Sequence, residues 1–323
     1  MKATLIDSNK NLVWSDVDDP TMKDDEALVE IHAAALNRAD LLQRQGKYPP
    51  PPGCPEWMGL EIAGVVKQVG GAAAQKSNWR VGDRVCALLG GGGYAEMVSV
   101  RHDMLMPVPA VLSMNEAAAL PEAFATSYLN LCVEGGLKAG DTVLIHAGAS
   151  GLGIAAIQLS KTFGARVVTT VSSPAKAAAV ASIGADVIVN RKTDDLGKVL
   201  DENPVDIVLD CVGGTNLGKH LEKLAVGGRW ILIATLGGEF AEISLRPILR
   251  RGLKLIGSTL RSRSPDMKAR ILADLVEKTW PAIESGAIRP VIHSVLPVER
   301  AEEAHAILER NENTGKVVLA VKS

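Results

Sequence analysis

The segment from Thr142 to Phe163 constrains the fold most. Thr142-Val143-Leu144-Ile145-His146 is a β-branched apolar run that breaks into Ala147-Gly148-Ala149-Ser150-Gly151-Leu152-Gly153, and helical periodicity follows from Leu152 to Phe163. A strand that turns through glycines into a helix aims unpaired backbone N–H groups at one point, and the positive helix end there suits an anion. That context gives a dinucleotide fingerprint its meaning, because a glycine pattern alone is weak. In the G-x-G-x-x-G pattern the first and last glycines fall at Gly148 and Gly153, while Ser150 holds the middle place that normally lets the backbone approach a pyrophosphate. Its hydroxyl is expected to donate to a phosphate oxygen instead.

The pattern repeats downstream. Arg166–Val171, Val187–Val189, Val205–Asp210, Arg229–Ile233 and Leu253–Ile256 read as strands, with helices over Pro174–Ile183 and Leu217–Leu224 between them. Six strands alternating with helices predict an α/β architecture with a doubly wound parallel six-stranded sheet. Residues 1 to about 110 differ: short alternating runs such as Ala27–His32 and Ile62–Val66, bounded by turn residues, predict a small β-rich domain. The Pro49-Pro50-Pro51-Pro52-Gly53 run fits neither a helix nor a central strand and reads as a stiff rim loop. Past residue 262 the spacing predicts a helix over Asp266–Ser285, a strand at Val291–His293, a helix over Val298–Asn311 and a last strand Lys316–Val321, which is expected to return to the first domain.

The end of the second strand of the parallel sheet bears on the cofactor. A site for NAD places an acidic residue there, on the ribose hydroxyls. Here the chain reads Val171-Ser172-Ser173-Pro174-Ala175-Lys176, two hydroxyls and a cation. A 2′-phosphate suits that set, with Lys176 as point charge and Ser172 or Ser173 as donors, which favours NADPH over NADH. Arg191, just past the third strand, is placed to add a second charge or to stack on adenine.

Other classes find little support. Lys plus Arg number 35 against 37 Asp plus Glu, a net charge of -2, and aromatic residues make up 3%, so neither a basic field nor a set of stacking rings marks a nucleic-acid binder. No G-x-S-x-G, H-E-x-x-H or G-K-[ST] motif occurs, and the six histidines are scattered. Cys54, Cys86, Cys132 and Cys211 form no Cys-x-x-Cys pair, which argues against a disulfide framework or a structural zinc lobe and for reduced thiols. No targeting segment and no run of ~18 apolar residues is present, so a soluble, cytoplasmic protein without membrane contact is expected.

These residues resemble the medium-chain dehydrogenase/reductase superfamily, and within it the zinc-free quinone oxidoreductase family. The resemblance runs through Ala35-Leu36-Asn37-Arg38-Ala39-Asp40, Gly59-Leu60-Glu61-Ile62-Ala63-Gly64, Val81–Val85, Gly92-Gly93-Tyr94-Ala95-Glu96, Leu120-Pro121-Glu122 and Thr314-Gly315-Lys316-Val317-Val318, with Gln158 and Lys161 behind the glycine turn. Ser150, Asn37–Leu41, Gln43–Gly46 and Leu260–Arg263 look most like the p53-inducible quinone oxidoreductase branch, which has bacterial relatives. Zinc members of the superfamily carry Cys where Asn37-Arg38 stands and His where Leu60 stands, and leucine cannot ligate a metal.

The resemblance implies a GroES-like catalytic domain from residues 1–122 and 263–323 and a Rossmann domain from 123–262 that binds NADPH. Carried over residue by residue, Ser150, Gly151, Leu152 and Gly153 would hold the pyrophosphate, and Ser173 and Lys176 the 2′-phosphate. Arg191 stands where relatives have tyrosine near the adenine. Asn37 and Tyr48 would border the nicotinamide and the substrate. Thr126, Leu236, Gly237, Gly238, Leu260 and Arg261 would line the cofactor, with Asn313 reaching it from the C-terminal region. The implied reaction is metal-free hydride transfer from NADPH to a quinone or related electrophile, in a homodimer or homotetramer. Two other readings stay open: an NADPH-dependent reductase of enone, enal or enoyl double bonds, and an NADPH- or RNA-binding protein with little turnover.

Overall fold

The β-branched runs after Asp141 form strands because a parallel strand covered on both faces needs apolar side chains pointing both ways. A computed structural model describes residues 1–322. Packing divides the chain into two units, one of Met1–Ala123 with the chain from Ser264 onward, the other of Phe124–Arg263. The first part runs β1 (Lys2–Ile6), β2 (Leu12–Asp16), β3 (Glu26–Ala35), α1 (Arg38–Arg44), β4 (Glu61–Val69), α2 (Gly71–Lys76), β5 (Arg84–Leu88), β6 (Met97–Arg101), β7 (Leu105–Pro107) and α3 (Met114–Ala117). Helix α4 (Pro121–Tyr128) leads into the second unit. There follow β8 (Thr142–Ile145), α5 (Gly151–Thr162), β9 (Arg166–Val171), α6 (Pro174–Ser182), β10 (Val187–Asn190), α7 (Leu196–Glu202), β11 (Val205–Asp210), α8 (Gly214–His220), β12 (Leu224–Leu232), α9 (Leu245–Arg251) and β13 (Lys254–Gly257). The chain closes with α10 (Pro265–Glu284), β14 (Ile292–Pro297), α11 (Ala301–Glu309) and β15 (Lys316–Ala320).

In the second unit the six strands are all parallel, in the order β10-β9-β8-β11-β12-β13. Counted within the unit this is 3-2-1-4-5-6, the doubly wound order whose reversal between β8 and β11 opens a crevice at the strands' carboxyl ends. Val143 and Ile145 pack with Ile157 of α5 and Val180 of α6 on one face. Leu144 packs with Leu200 of α7, Leu217 of α8 and Trp230 on the other. The Trp230 indole N–H donates to Asp210 Oδ2 at 2.9 Å, so the one polar atom of this buried ring is satisfied.

In the first unit a seven-stranded sheet runs β14-β15-β3-β4-β5-β7, with β6 on β3, and β1 and β2 form a separate hairpin. Strand β15 lies antiparallel to β3, Val318 opposite Ala35, so the last strand does return to the first domain. Several elements depart from the sequence reading: in the second unit the helix expected over Leu217–Leu224 is α8, Gly214–His220, the strand expected from Arg229 starts at Leu224, and α7 and α9 are helices that reading does not contain. The β-rich region also holds α1, which starts where the Asp40 carboxylate accepts the Asn37 N–H at 2.7 Å. The strand expected at Val291–His293 begins at Ile292 and continues to Pro297. The helix expected from Val298 is a 3₁₀ turn over Val298–Arg300 that passes into α11 through Arg300, whose φ of -98° and ψ of 27° break the helical run. Among the described residues no helix is long and apolar enough to cross a membrane.

Candidate functional site

In the second unit the chain leaves β8 through His146 and turns at Ala147, whose φ is 55°. Gly148 then passes so close to β9 that an added Cβ would stand 2.0 Å from Thr169 Oγ1. Gly153 lies against the same turn, where a Cβ would meet the Ala147 carbonyl oxygen at 2.5 Å and Gly148 Cα at 2.6 Å. Both fingerprint glycines are therefore demanded by backbone approach. Ser150 differs: it is the N-cap of α5 at φ -71° and ψ 164°, a conformation open to any residue, and its hydroxyl oxygen accepts the Gly153 N–H at 3.0 Å. The first-turn N–H groups of Gly151 and Leu152 have no partner within the helix, so this helix end offers donors that suit a pyrophosphate. The serine proton is left for the ligand. Ser127 of α4 donates to Leu152 O at 3.4 Å, which sets its neighbour Thr126 beside this helix end.

A cavity of about 630 Å³ opens at the carboxyl ends of the strands, lined by His146, Thr170, Arg191, Val212, Asn216 and Lys219 among others. Asn216 Nδ2 donates to His146 Nε2 at 2.9 Å, which puts the imidazole proton on Nδ1, 3.2 Å from Thr170 Oγ1. Arg191 enters this wall because its own N–H pairs with Val171 O at 2.9 Å. The loop of Leu236, Gly237 and Gly238 folds onto the end of β11, with Gly237 N donating to Val212 O at 2.7 Å. Leu260 is buried and Arg261 half-buried just past β13.

At the end of β9, Ser173 caps α6 by accepting the Lys176 N–H at 3.3 Å, with Pro174 in the first turn. The half-buried Lys176 thus stands in the first turn of the helix that starts where NAD-binding chains carry a carboxylate. Neither Ser173 nor Lys176 lines the cavity that Arg191 borders, so the structure does not bring the three together in one wall.

In the first unit the sequence-predicted residues are Asn37, Tyr48 and Asn313. Tyr48 is half-buried and precedes the proline loop, which rests on the glycine run Gly90–Gly92; a Cβ on Gly92 would stand 3.0 Å from the Pro55 ring. Asn313 Nδ2 donates to Gly315 O at 2.8 Å in the turn before β15. Asn37 leads into a buried charge cluster to which the sequence reading gave no role. Lys316 Nζ donates to Glu61 Oε1 at 2.5 Å, Leu36 O at 2.6 Å and Asn37 Oδ1 at 2.9 Å. Glu61 and Asp40 are fully buried. Beside them the Tyr94 hydroxyl lies 3.2 Å from Asp40 Oδ2 and 3.4 Å from His305 Nε2. The available signal was a charge heading each of two apolar strands, Glu61-Ile62-Ala63 and Lys316-Val317-Val318, since such charges are buried only when paired.

Zinc does not suit this set. The oxygens of Asn37 and Glu61 already hold an ammonium, Leu60 offers no donor, and no cluster of three His, Cys, Asp or Glu among the described residues could hold a metal.

Burial pushes the Asp40 carboxyl up to about 6 and the His305 and His146 imidazoles down to about 4. The signs oppose. Each histidine stabilises the fold above its unfolded value near 6.5 and loses that contribution as pH falls towards 4, whereas Asp40 stabilises at low pH and loses it as pH rises through 6. Two histidines against one carboxyl leave a net loss of about 3 kcal/mol between pH 7 and pH 4 at 1.36 kcal/mol per pKa unit. Urea unfolding across that window measures it; a flat profile would contradict the burial of these rings.

Similarity to known proteins reaches residues of both units. The model for the alcohol dehydrogenase GroES-like domain covers residues 23–110, and that for zinc-binding dehydrogenase covers 151–278. The quinone oxidoreductase of Sus scrofa is 32% identical over 311 residues, 94% of this chain and 92% of the relative. Among solved structures, the quinone oxidoreductase from Thermus thermophilus, determined also with NADPH, has a TM-score of 0.83 at 31% identity, covering 99% of this chain and 100% of that one. The JamJ enoyl reductase in its apo form has a TM-score of 0.85 at 26% identity, with 99% of each chain covered.

Proposed function

The chain belongs to the quinone oxidoreductase type of the medium-chain dehydrogenase/reductase superfamily, oxidoreductases of GroES-like and Rossmann domains, and on that premise we propose that it passes a hydride from NADPH to a quinone without a catalytic metal. The observation that carries the reading is the end of β9, where Ser173 and Lys176 stand in place of a carboxylate. Bound NADPH supplies the hydride from C4 of its nicotinamide. The chain does the rest. Gly151, Leu152 and Ser150 hold the pyrophosphate, Gly153 keeps their turn tight, and Ser173 and Lys176 take the 2′-phosphate. Arg191 covers the adenine, and Thr126, Leu236, Gly237, Gly238, Leu260 and Arg261 line the remainder. Asn37 and Tyr48 border the nicotinamide and the substrate, and Asn313 reaches the cofactor. A quinone can draw its proton from water, so the reaction demands neither a buried acid nor a Lewis acid.

Oxidation of NADPH and of NADH, each with a quinone panel and an enone panel in the presence of a chelator, tests this. Chelator-resistant, NADPH-preferring turnover of quinones is expected. Turnover confined to enones would select double-bond reduction, the second reading, which the likeness to an enoyl reductase favours. Tyr48→Ala is expected to lower quinone kcat/KM about tenfold with NADPH affinity unchanged within about threefold, as befits one lost ring contact on the substrate side. Unchanged quinone kinetics would remove Tyr48 from the site.

Self-assembly into a homodimer or homotetramer belongs to the same proposal. Strand β13 ends the six-stranded sheet, and its Leu255 is 45% exposed, an open strand edge with an apolar residue on it. Sedimentation at assay concentration tests this, and a monomer would refute it.

A further inference from the structure

Three buried charges from three elements converge on one half-buried asparagine, two of them on its side-chain amide and Asp40 on its backbone N–H. Asp40 of α1 accepts the Asn37 N–H at 2.7 Å, Lys316 of β15 donates to Asn37 Oδ1 at 2.9 Å, and Glu61 of β4 accepts from Asn37 Nδ2 at 2.9 Å. Every polar side-chain atom of Asn37 is thereby engaged, and the second Nδ2 proton reaches only Ala35 O at 3.4 Å. The amide cannot flip, because an ammonium only donates and a carboxylate only accepts. Glu61 spends its other oxygen on the Glu122 N–H at 2.8 Å, and Lys316 spends its other two protons on Leu36 O and Glu61. Burying charge is costly, and well-packed apolar residues often serve stability as well as a buried ion pair does. An arrangement that spends an ion pair and a second carboxylate on one partly open asparagine is built for orientation.

We propose that Lys316, with Glu61, is a positioning residue that holds the Asn37 amide in the one orientation in which it meets the reacting end of cofactor and substrate. This rests on the reading that Asn37 borders that end. Lys316 touches neither ligand and acts only through Asn37.

Two measurements test it. In protein labelled with ¹⁵N-asparagine, the Asn37 side-chain amide is identified by its loss in Asn37→Ala. Its protons are expected to exchange slowly in the wild type and more than about tenfold faster in Lys316→Met, since exchange follows local opening. The pair Lys316→Met/Glu61→Gln, which removes both members of the ion pair together, should show the same loosening if the single variant fails to fold. The second measurement is a double-mutant cycle on whichever acceptor the wild type reduces. Lys316→Met should lower kcat about 30-fold with the NADPH KM within about threefold, and should add less than about twofold in the Asn37→Ala background. Additive losses, or unchanged amide exchange, would overturn the proposal. A wild type that reduces no acceptor would refute the functional reading instead, and the exchange measurement would still decide whether Lys316 orients Asn37.

Discussion

Replacing Lys176 with aspartate is expected to raise the KM for NADPH about 100-fold while leaving that for NADH within about threefold. A charge-assisted bond to phosphate contributes ~1.5–3 kcal/mol, and a carboxylate in its place adds repulsion, so a total near 3 kcal/mol corresponds to two decades. The position separates binding from folding. Lys176 sits in the first turn of α6, three residues after the Ser173 cap that accepts its N–H. An acid there suits the positive helix end and can return a bond to the cap, so the helix should be no less stable than in the wild type. Steady-state kinetics with both cofactors and a thermal melt of the same variant make the check. Equal losses with NADPH and NADH, or an unchanged NADPH KM, would take the 2′-phosphate away from Lys176. In that case Arg191, on the wall of the strand-end cavity, becomes the residue to replace next.

The unit proposed to hold the nucleotide could be read because its determinants are local. Val143 to Ile145 alternate between the two cores of one sheet, and the strand, turn and helix that make the phosphate cradle occupy about 20 consecutive residues, the compass of a βαβ unit's first turn. The first unit resisted for the opposite reason. Lys316 and Glu61 lie 255 residues apart in sequence, and the cluster on Asn37 exists only because β15 returns to pair with β3. Its members were visible as a charge at the head of an apolar strand, but the sign of the partner was not. The helix α1 was missed for a related reason: Asp40 stands three residues past Asn37, a capping pattern that the surrounding β-rich stretch hid. The Ser150 departure shows how sequence rules compress geometry. The middle glycine of the fingerprint is a rule about close approach, and this turn achieves its close approach at Gly148 and Gly153, so the rule can lapse at position 150.

That distinction predicts opposite outcomes for two conservative changes in one turn. Gly153→Ala adds a single methyl group, and the atoms it would meet are the Ala147 carbonyl oxygen, Gly148 Cα and the Gly148 carbonyl oxygen, all backbone and all within 2.6 Å. No side chain can rotate away, so the turn itself must move. Overpacking of this kind costs ~1–3 kcal/mol, and the upper end applies because β8, Gly148 and the start of α5 are displaced together. Displacement of α5 also swings the Gly151 and Leu152 N–H groups off the pyrophosphate, so NADPH affinity should fall at least about 100-fold, the scale of two charge-assisted bonds. Ser150→Gly restores the commoner fingerprint and should cost the fold little: it gives up the bond from Gly153 N, but glycine is a good N-cap and the substitution costs only a few tenths of a kcal/mol, while loss of the one hydroxyl bond to phosphate should weaken NADPH only about tenfold. Fluorescence titration with NADPH and urea unfolding of both variants decide the matter. If Ser150→Gly proved as damaging as Gly153→Ala, the serine hydroxyl would be the principal phosphate ligand and the close packing of the glycines secondary to it. If Gly153→Ala were silent, the turn would not have the tight geometry from which the dinucleotide site was inferred.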